Sequence, residues 1–119
     1  MAGKNKRLGK KGEDKAAEYL EKCGYRILER NFRCGRYGEI DIVAEDAGYI
    51  CFIEVKSRSS INFGLPCEAV NKAKQEKLRV IAFFYLDRYS LVDSNVRFDV
   101  VEVFYGEGKI EVNVIKNAF

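Results

Sequence analysis

Asp41, Glu54 and Lys56 are the residues of this chain whose types and spacing can do chemistry. They lie in two strand-like runs, GEIDIVAED and YICFIEVKS, joined by the turn Asp46-Ala47-Gly48-Tyr49. Side chains alternate faces along a strand, so Glu54 and Lys56 point the same way, roughly 6.6 Å apart along the chain. A two-residue hairpin centred on Ala47-Gly48 pairs Asp46 with Tyr49, and the same register sets Asp41 opposite Glu54. Their Cβ atoms would then be about 5 Å apart, where like charges repel. A cation between the two carboxylates relieves that repulsion. Two acids converging on a hard cation, with a lysine beside them, is a phosphodiester-cleaving constellation. A three-residue bulged loop would instead shift the pairing by one. The plainer alternative is a surface hairpin with solvated charges, in which Glu39 opposite Lys56 makes an ordinary ion pair.

The rest of the chain must position these residues. Its 119 residues make one small domain, 1–119, with residues 1–7 a flexible basic tail. No apolar run reaches bilayer length, and the N-terminus is basic and polar with no apolar h-region, so a cytoplasmic location is expected. The chain has no histidine, which excludes Ser-His-Asp and Cys-His catalysis and the usual Cys/His zinc patterns. Any hydrolysis must use carboxylates, lysine, tyrosine or a metal. The cysteines 23, 34, 51 and 67 form no CxxC pair and read as free thiols. Residues 1–37 carry eleven Lys/Arg against five Asp/Glu, whereas residues 38–119 carry ten against thirteen. A basic first third suggests a face for a polyanion, with a solvated tail as the alternative.

Ala16, Ala17, Leu20 and Cys23 recur at helical spacing, predicting a helix over about 6–23 that stops at Gly24. Glu13 falls on or beside its buried stripe and needs a partner there. Strands are expected at about 25–33, 39–45 and 49–57, followed by a polar loop from Ser57 to Pro66. A second helix over about 66–88 turns Val70, Leu78, Ile81 and Tyr85 inward, and Lys72, Gln75 and Arg79 share another face. Strands at 96–105 and about 110–116 close the chain, with Asp99 in a structural role. The order α-β-β-β-α-β-β gives an α/β domain with a mixed sheet and helices packed on it.

Gly12-Glu13, Gly38-Glu39-Ile40-Asp41-Ile42-Val43 and Phe52-Ile53-Glu54-Val55-Lys56-Ser57-Arg58, in this order and spacing, resemble a bacterial family of YraN-like proteins. That family is similar to archaeal Holliday-junction resolvases and belongs to the PD-(D/E)xK nuclease superfamily. The resemblance runs from about Gly9 to Val103 and includes Lys72-Ala73-Lys74-Gln75 and Arg97-Phe98-Asp99-Val100-Val101. It implies a restriction-endonuclease-like fold, a central mixed β-sheet flanked by α-helices. It also implies Asp41 and Glu54 as metal-binding acids, Lys56 as the catalytic lysine, and Glu13 as the helix glutamate of the resolvase-like branch. Ile40-Asp41 stands where the superfamily has Pro-Asp.

The expected activity is therefore that of a divalent-metal-dependent endonuclease hydrolysing DNA, with branched DNA such as Holliday junctions as a candidate substrate. Mg²⁺, or Mn²⁺ in its place, would be held by Asp41 and Glu54, with Glu13 and the Val55 carbonyl as further oxygen ligands, the latter by family analogy. Lys56 would orient the attacking water and offset developing charge. Lys10, Lys11, Arg36, Arg58, Lys72 and Gln75 would line the nucleic acid. A homodimer would suit paired incisions. The alternatives are a non-catalytic nucleic-acid-binding module that keeps the fold, and an interaction domain whose basic face docks an acidic protein.

Overall fold

A computed structural model describes residues 2–59, 70–106 and 108–119. Helix α1 (Ala2–Lys22) leads into strands β1 (Arg26–Cys34), β2 (Gly38–Asp46) and β3 (Tyr49–Ser59); helix α2 (Lys72–Arg88) then crosses to β4 (Asn95–Gly106) and β5 (Lys109–Ile115). The five strands form one sheet in the order β1-β2-β3-β4-β5, with β3 and β4 parallel and every other neighbour antiparallel. It is an α/β fold with a mixed sheet and two helices, consistent with the restriction-endonuclease-like class.

The β2–β3 hairpin is the two-residue one. Ala47 and Gly48 both have positive φ, 52° and 84°, as a type I′ turn requires, and Asp46 pairs with Tyr49. Helix α1 ends as Gly24 predicts. With φ at 97°, Gly24 lets its own N–H reach the Glu21 carbonyl and the Tyr25 N–H reach that of Leu20. Cys23 therefore lies beyond the helix and is exposed, not on the apolar stripe where its spacing put it. The helix begins at Ala2, upstream of the expected start near residue 6.

Two other boundaries also move. Strand β3 continues through Ser59, because Ser57, Arg58 and Ser59 pair with Val103, Phe104 and Tyr105 of β4, so the first three residues of the expected polar loop are strand; its remainder, from residue 60, lies outside the described residues. Helix α2 starts at Lys72 and not near residue 66, because the Asn71 side chain caps it by accepting the Lys74 N–H at 2.8 Å. Pro66 and Cys67 lie outside the described residues. Cys23, Cys34 and Cys51 are free thiols.

The sheet buries both faces. On one, Ala16, Ala17 and Leu20 of α1 pack with Ile42, Ala44, Cys51, Ile53, Val101 and Val103. On the other, Leu78, Ile81 and Tyr85 of α2 pack with Phe32, Ile40, Val43, Phe52 and Val100. Strand β3 alternates cleanly between these cores, but β2 does not. Ile42 faces α1 while Ile40, two residues away, joins the α2 side. Strand β1 breaks its alternation at the same level: Arg30 bonds to α1 while Phe32 packs under α2. The residues between these positions are Asp41 and Asn31, and Asn31 has φ of 57°. The local twist thus falls on the candidate metal-binding acid of β2 and on its neighbour across β1.

Candidate active site

The β2–β3 ladder runs from Asp46↔Tyr49 to Ile42↔Ile53. At the next position the two strands part, and the Asp41 carboxylate takes the place of a ladder carbonyl. Its Oδ2 accepts the Val55 N–H at 2.8 Å. The N–H and C=O of a strand residue point to the same edge, so the Val55 carbonyl also faces this opening. Asp41, Glu54 and Val55 line a cleft of about 830 Å³ together with Lys10, Glu13, Asp14, Arg30, Asn31, Glu39 and Ser57. Asp41 and Glu54 also form part of a smaller cavity of about 290 Å³ toward α2, whose other walls include Tyr37, Lys74, Lys77, Leu78 and Ile81. The two acids therefore stand between an α1-side cleft and an α2-side recess.

Each acid already has donors from the protein. Glu13, on the inner side of α1, accepts two hydrogen bonds from Arg30 at 3.1 and 2.9 Å and one from Asn31 at 2.8 Å. This supplies the partner its position on the apolar stripe required. Glu54 is buried on the α2 side. The Lys74 Nζ donates to its Oε1 at 3.1 Å, and the Lys56 Nζ stands 3.8 Å from the same oxygen. Lys56 does not pair with Glu39 across the hairpin; Glu39 lies 3.5 Å from Arg33 instead. Among the described residues no ready-made cluster of three acids or thiols surrounds a single point.

The electrostatics follow from burial and crowding. Burial and the nearby Glu54 charge push the Asp41 carboxyl up to about 7, against the opposing pull of the Val55 N–H. Burial also raises Glu13, although Arg30 lowers it. Lys56 is held below the usual lysine range by burial and by the neighbouring Lys74. Burial would lower Lys74 too, but its contacts with Lys56 and Glu54 carry it upward. Asp41 is thus a desolvated carboxyl facing another carboxylate, which an added cation would relieve. The donors within reach are all oxygens, the set a hard divalent ion takes. On both counts the residues fit Mg²⁺.

The expected phosphate-contacting residues divide. Lys10 lines the cleft. Lys11, Arg36 and Lys72 are exposed, on α1, on the turn after β1 and at the start of α2. Gln75 is turned back on its own helix, its amide donating to the Val70 carbonyl at 3.1 Å. Arg58 points inward, with its Nε 3.4 Å from the fully buried Glu102. Neither that Nε nor the Glu102 Oε2 has a hydrogen-bond partner among the described residues.

Four participants were not singled out from sequence: Lys74, Arg30, Asn31 and Glu102. Lys74 was readable, because it falls at helical spacing between Val70 and Leu78 on the buried stripe of α2, where a lysine needs a carboxylate. Asn31 carried no such signal, since its role comes from a backbone twist.

Two further features fix the site. Helix α1 reaches β3 through Gly12, where a Cβ would come within 2.0 Å of the Ser57 Oγ. A side chain there would require Ser57 to turn aside and would still crowd Tyr105 and the Ser57 Cβ, and the next residue in sequence is Glu13. At the other end of the strands, Asp99 is fully buried and held by Arg97 at 2.9 Å through both oxygens, by the Tyr25 hydroxyl at 2.9 Å and by the Asn117 N–H at 2.9 Å. Arg97 also reaches Asp46 at 2.7 Å. Asp99 is structural, as expected.

Comparison with known proteins bears on this site. A model of the Uncharacterised protein family UPF0102 matches residues 12–103, a span that includes Glu13, Asp41, Glu54, Lys56 and Lys74. The chain is 48% identical over 118 residues to a UPF0102 protein of Caldicellulosiruptor saccharolyticus, covering 97% of this chain and 99% of that one. It is 51% identical over 122 residues to a UPF0102 protein of Acetivibrio thermocellus, covering 97% and 93%. A UPF0102 protein of Syntrophus aciditrophicus is 51% identical over 115 residues, with 97% and 90% covered.

Proposed function

The chain belongs to the family UPF0102, and on that premise we propose that it is a divalent-metal-dependent endonuclease acting on DNA phosphodiester bonds. The observation that carries this reading is the break between β2 and β3. Asp41 and Glu54 share the wall of an open cleft there, and burial and mutual repulsion leave Asp41 in want of a cation. Asp41, Glu54, the Val55 carbonyl and Glu13 would hold Mg²⁺. When bound, the ion would polarise the phosphate and lower the pKa of an attacking water.

The chain's own groups would do the rest. Lys56, partly buried beside Glu54, orients the water and offsets charge developing on the phosphate. Arg30 and Asn31 hold Glu13 at the cleft edge. Lys10 meets a backbone phosphate at the rim, positioning the substrate without reading its sequence.

One observation favours a second reading, a DNA-binding module without turnover. Glu13 and Glu54 are both already engaged by protein cations. Incubation with labelled branched and linear DNAs in Mg²⁺ or Mn²⁺, with an EDTA control, separates the two. Cleavage is expected with metal only, and Asp41→Asn and Glu54→Gln should each lower its rate about a thousandfold while the proteins stay folded. Salt-sensitive binding with no cleavage of any substrate would select the second reading.

A further inference from the structure

The inference rests on the metal-dependent reading and concerns Lys74, a residue outside the catalytic set above. We propose that Lys74 is the resident counter-ion of Glu54, and that it yields Glu54 to the divalent ion and turns to a DNA phosphate, so that metal and DNA bind cooperatively.

The geometry begins with the helix. Asn71 caps α2 and fixes the backbone at Lys74, whose side chain then reaches down from the first turn to the sheet. Its ammonium lies 3.1 Å from the Glu54 oxygen that Lys56 also approaches, at 3.8 Å. A divalent ion taken up by Glu54 would meet two ammonium groups already gathered at the same carboxylate oxygen, and like charges that close repel. One lysine must withdraw. Lys74 is the one placed to do so. Its side chain is 40% exposed against 24% for Lys56, and it borders the recess of about 290 Å³ that also contains Lys77. Once withdrawn, its ammonium stands in that recess within reach of a phosphate bound at the acids. The phosphate then takes the place of Glu54 as the partner of Lys74. Metal entry thus creates a phosphate contact, and phosphate binding removes a competitor of the metal. Linkage makes the two effects equal.

The test measures Ca²⁺ or Mg²⁺ binding by calorimetry and labelled-DNA binding by anisotropy in Ca²⁺, for wild type, Lys74→Gln and Lys77→Gln. Lys77→Gln removes the same charge from the same recess without touching Glu54. Lys74→Gln should bind the metal about three- to tenfold more tightly in the absence of DNA and bind DNA more weakly in its presence. The factor by which metal tightens DNA binding should fall about threefold or more. Lys77→Gln should change the metal affinity less than about twofold. Affinities moving in opposite directions are the signature, because a lysine that merely supported the fold would weaken both. Equal metal affinity in wild type and Lys74→Gln, or equal effects of the two variants, overturns the exchange and leaves the metal-dependent reading standing. Failure of the wild type to bind either ion overturns both.

Discussion

Near the β2–β3 turn, Arg97 answers two carboxylates, with a tyrosine hydroxyl, a lysine and a backbone N–H completing their coordination; at the far end of the same two strands, two carboxylates and two lysines crowd one another around a break in the ladder. The first group uses complementary charge. Arg97 forks onto Asp99 and stacks over Tyr25 and Tyr49, and every Asp99 oxygen is satisfied. Its effect on titration is stabilising, since hydrogen bonds from Arg97 hold Asp46 below the usual carboxylate range. The second group juxtaposes like charges, and its effect runs the other way, with Asp41 raised to about 7. A protein keeps a cluster of the first kind to hold its strands together. It keeps one of the second kind where something from outside, a cation or a phosphate, completes the balance.

Several substitutions can break or sharpen this contrast. The largest effect on folding should come from Arg97→Met, which strands the buried Asp99 and leaves Asp46 to Lys116. A loss of about 3–5 kcal/mol in urea unfolding is expected. Loss of less than about 1 kcal/mol would show that the first cluster is not structural.

Next comes Gly12→Ala, which drives a methyl into the Ser57 Oγ and should cost about 2 kcal/mol by the same measurement. Adding Ser57→Ala removes the nearest atom and should recover part of that loss. Additive losses in the double variant would mean that helix and strand do not meet at this point.

The most specific effect is in pH. Asp41 is raised in the folded protein, so its stabilising contribution is complete below about pH 4 and is lost as pH rises through 7. Asp46 is lowered, so its contribution is present above about pH 4 and is lost in acid. In metal-free solution Asp41→Asn should match wild type in acid and exceed it in stability at pH 8. Asp46→Asn should do the reverse, weakening the protein at neutral pH and converging with wild type in acid. Parallel pH profiles for the two variants would erase the distinction between the clusters.

Much of this was legible in the chain. Asp46-Ala47-Gly48-Tyr49 left two registers open; the two-residue turn is the one formed, and although its ladder ends at Ile42 and Ile53, Asp41 and Glu54 still meet in one cleft. Gly24 announced the end of α1, and Glu13 announced a buried partner. What stayed hidden arises where backbone regularity fails. The twist at Asn31 and Asp41 reverses the faces of β1 and β2, so simple alternation misplaces Ile40 and Phe32. The Arg58–Glu102 pair depends on the parallel register of β3 with β4, which strand patterns do not reveal across an intervening helix. Lys74 shows a different failure: the stripe was read for its apolar members, and a cation at the same spacing was passed over.

That parallel pairing has a consequence for how the molecule comes into being. Strands β1, β2 and β3 are neighbours in sequence and can associate by closing short loops. Strand β3 meets β4 only after the chain has run through the whole of α2, and its eleven residues from Tyr49 to Ser59 all take partners there. Closing a loop of that length before any contact rewards it is the slow part of building such a sheet. The hairpin that carries Asp41 and Glu54 can therefore form early, whereas Lys74 reaches Glu54 only when the crossover is in place. During synthesis the two acids would emerge and pair before their lysine arrives, and the order of assembly would repeat, in reverse, the exchange proposed for the finished protein.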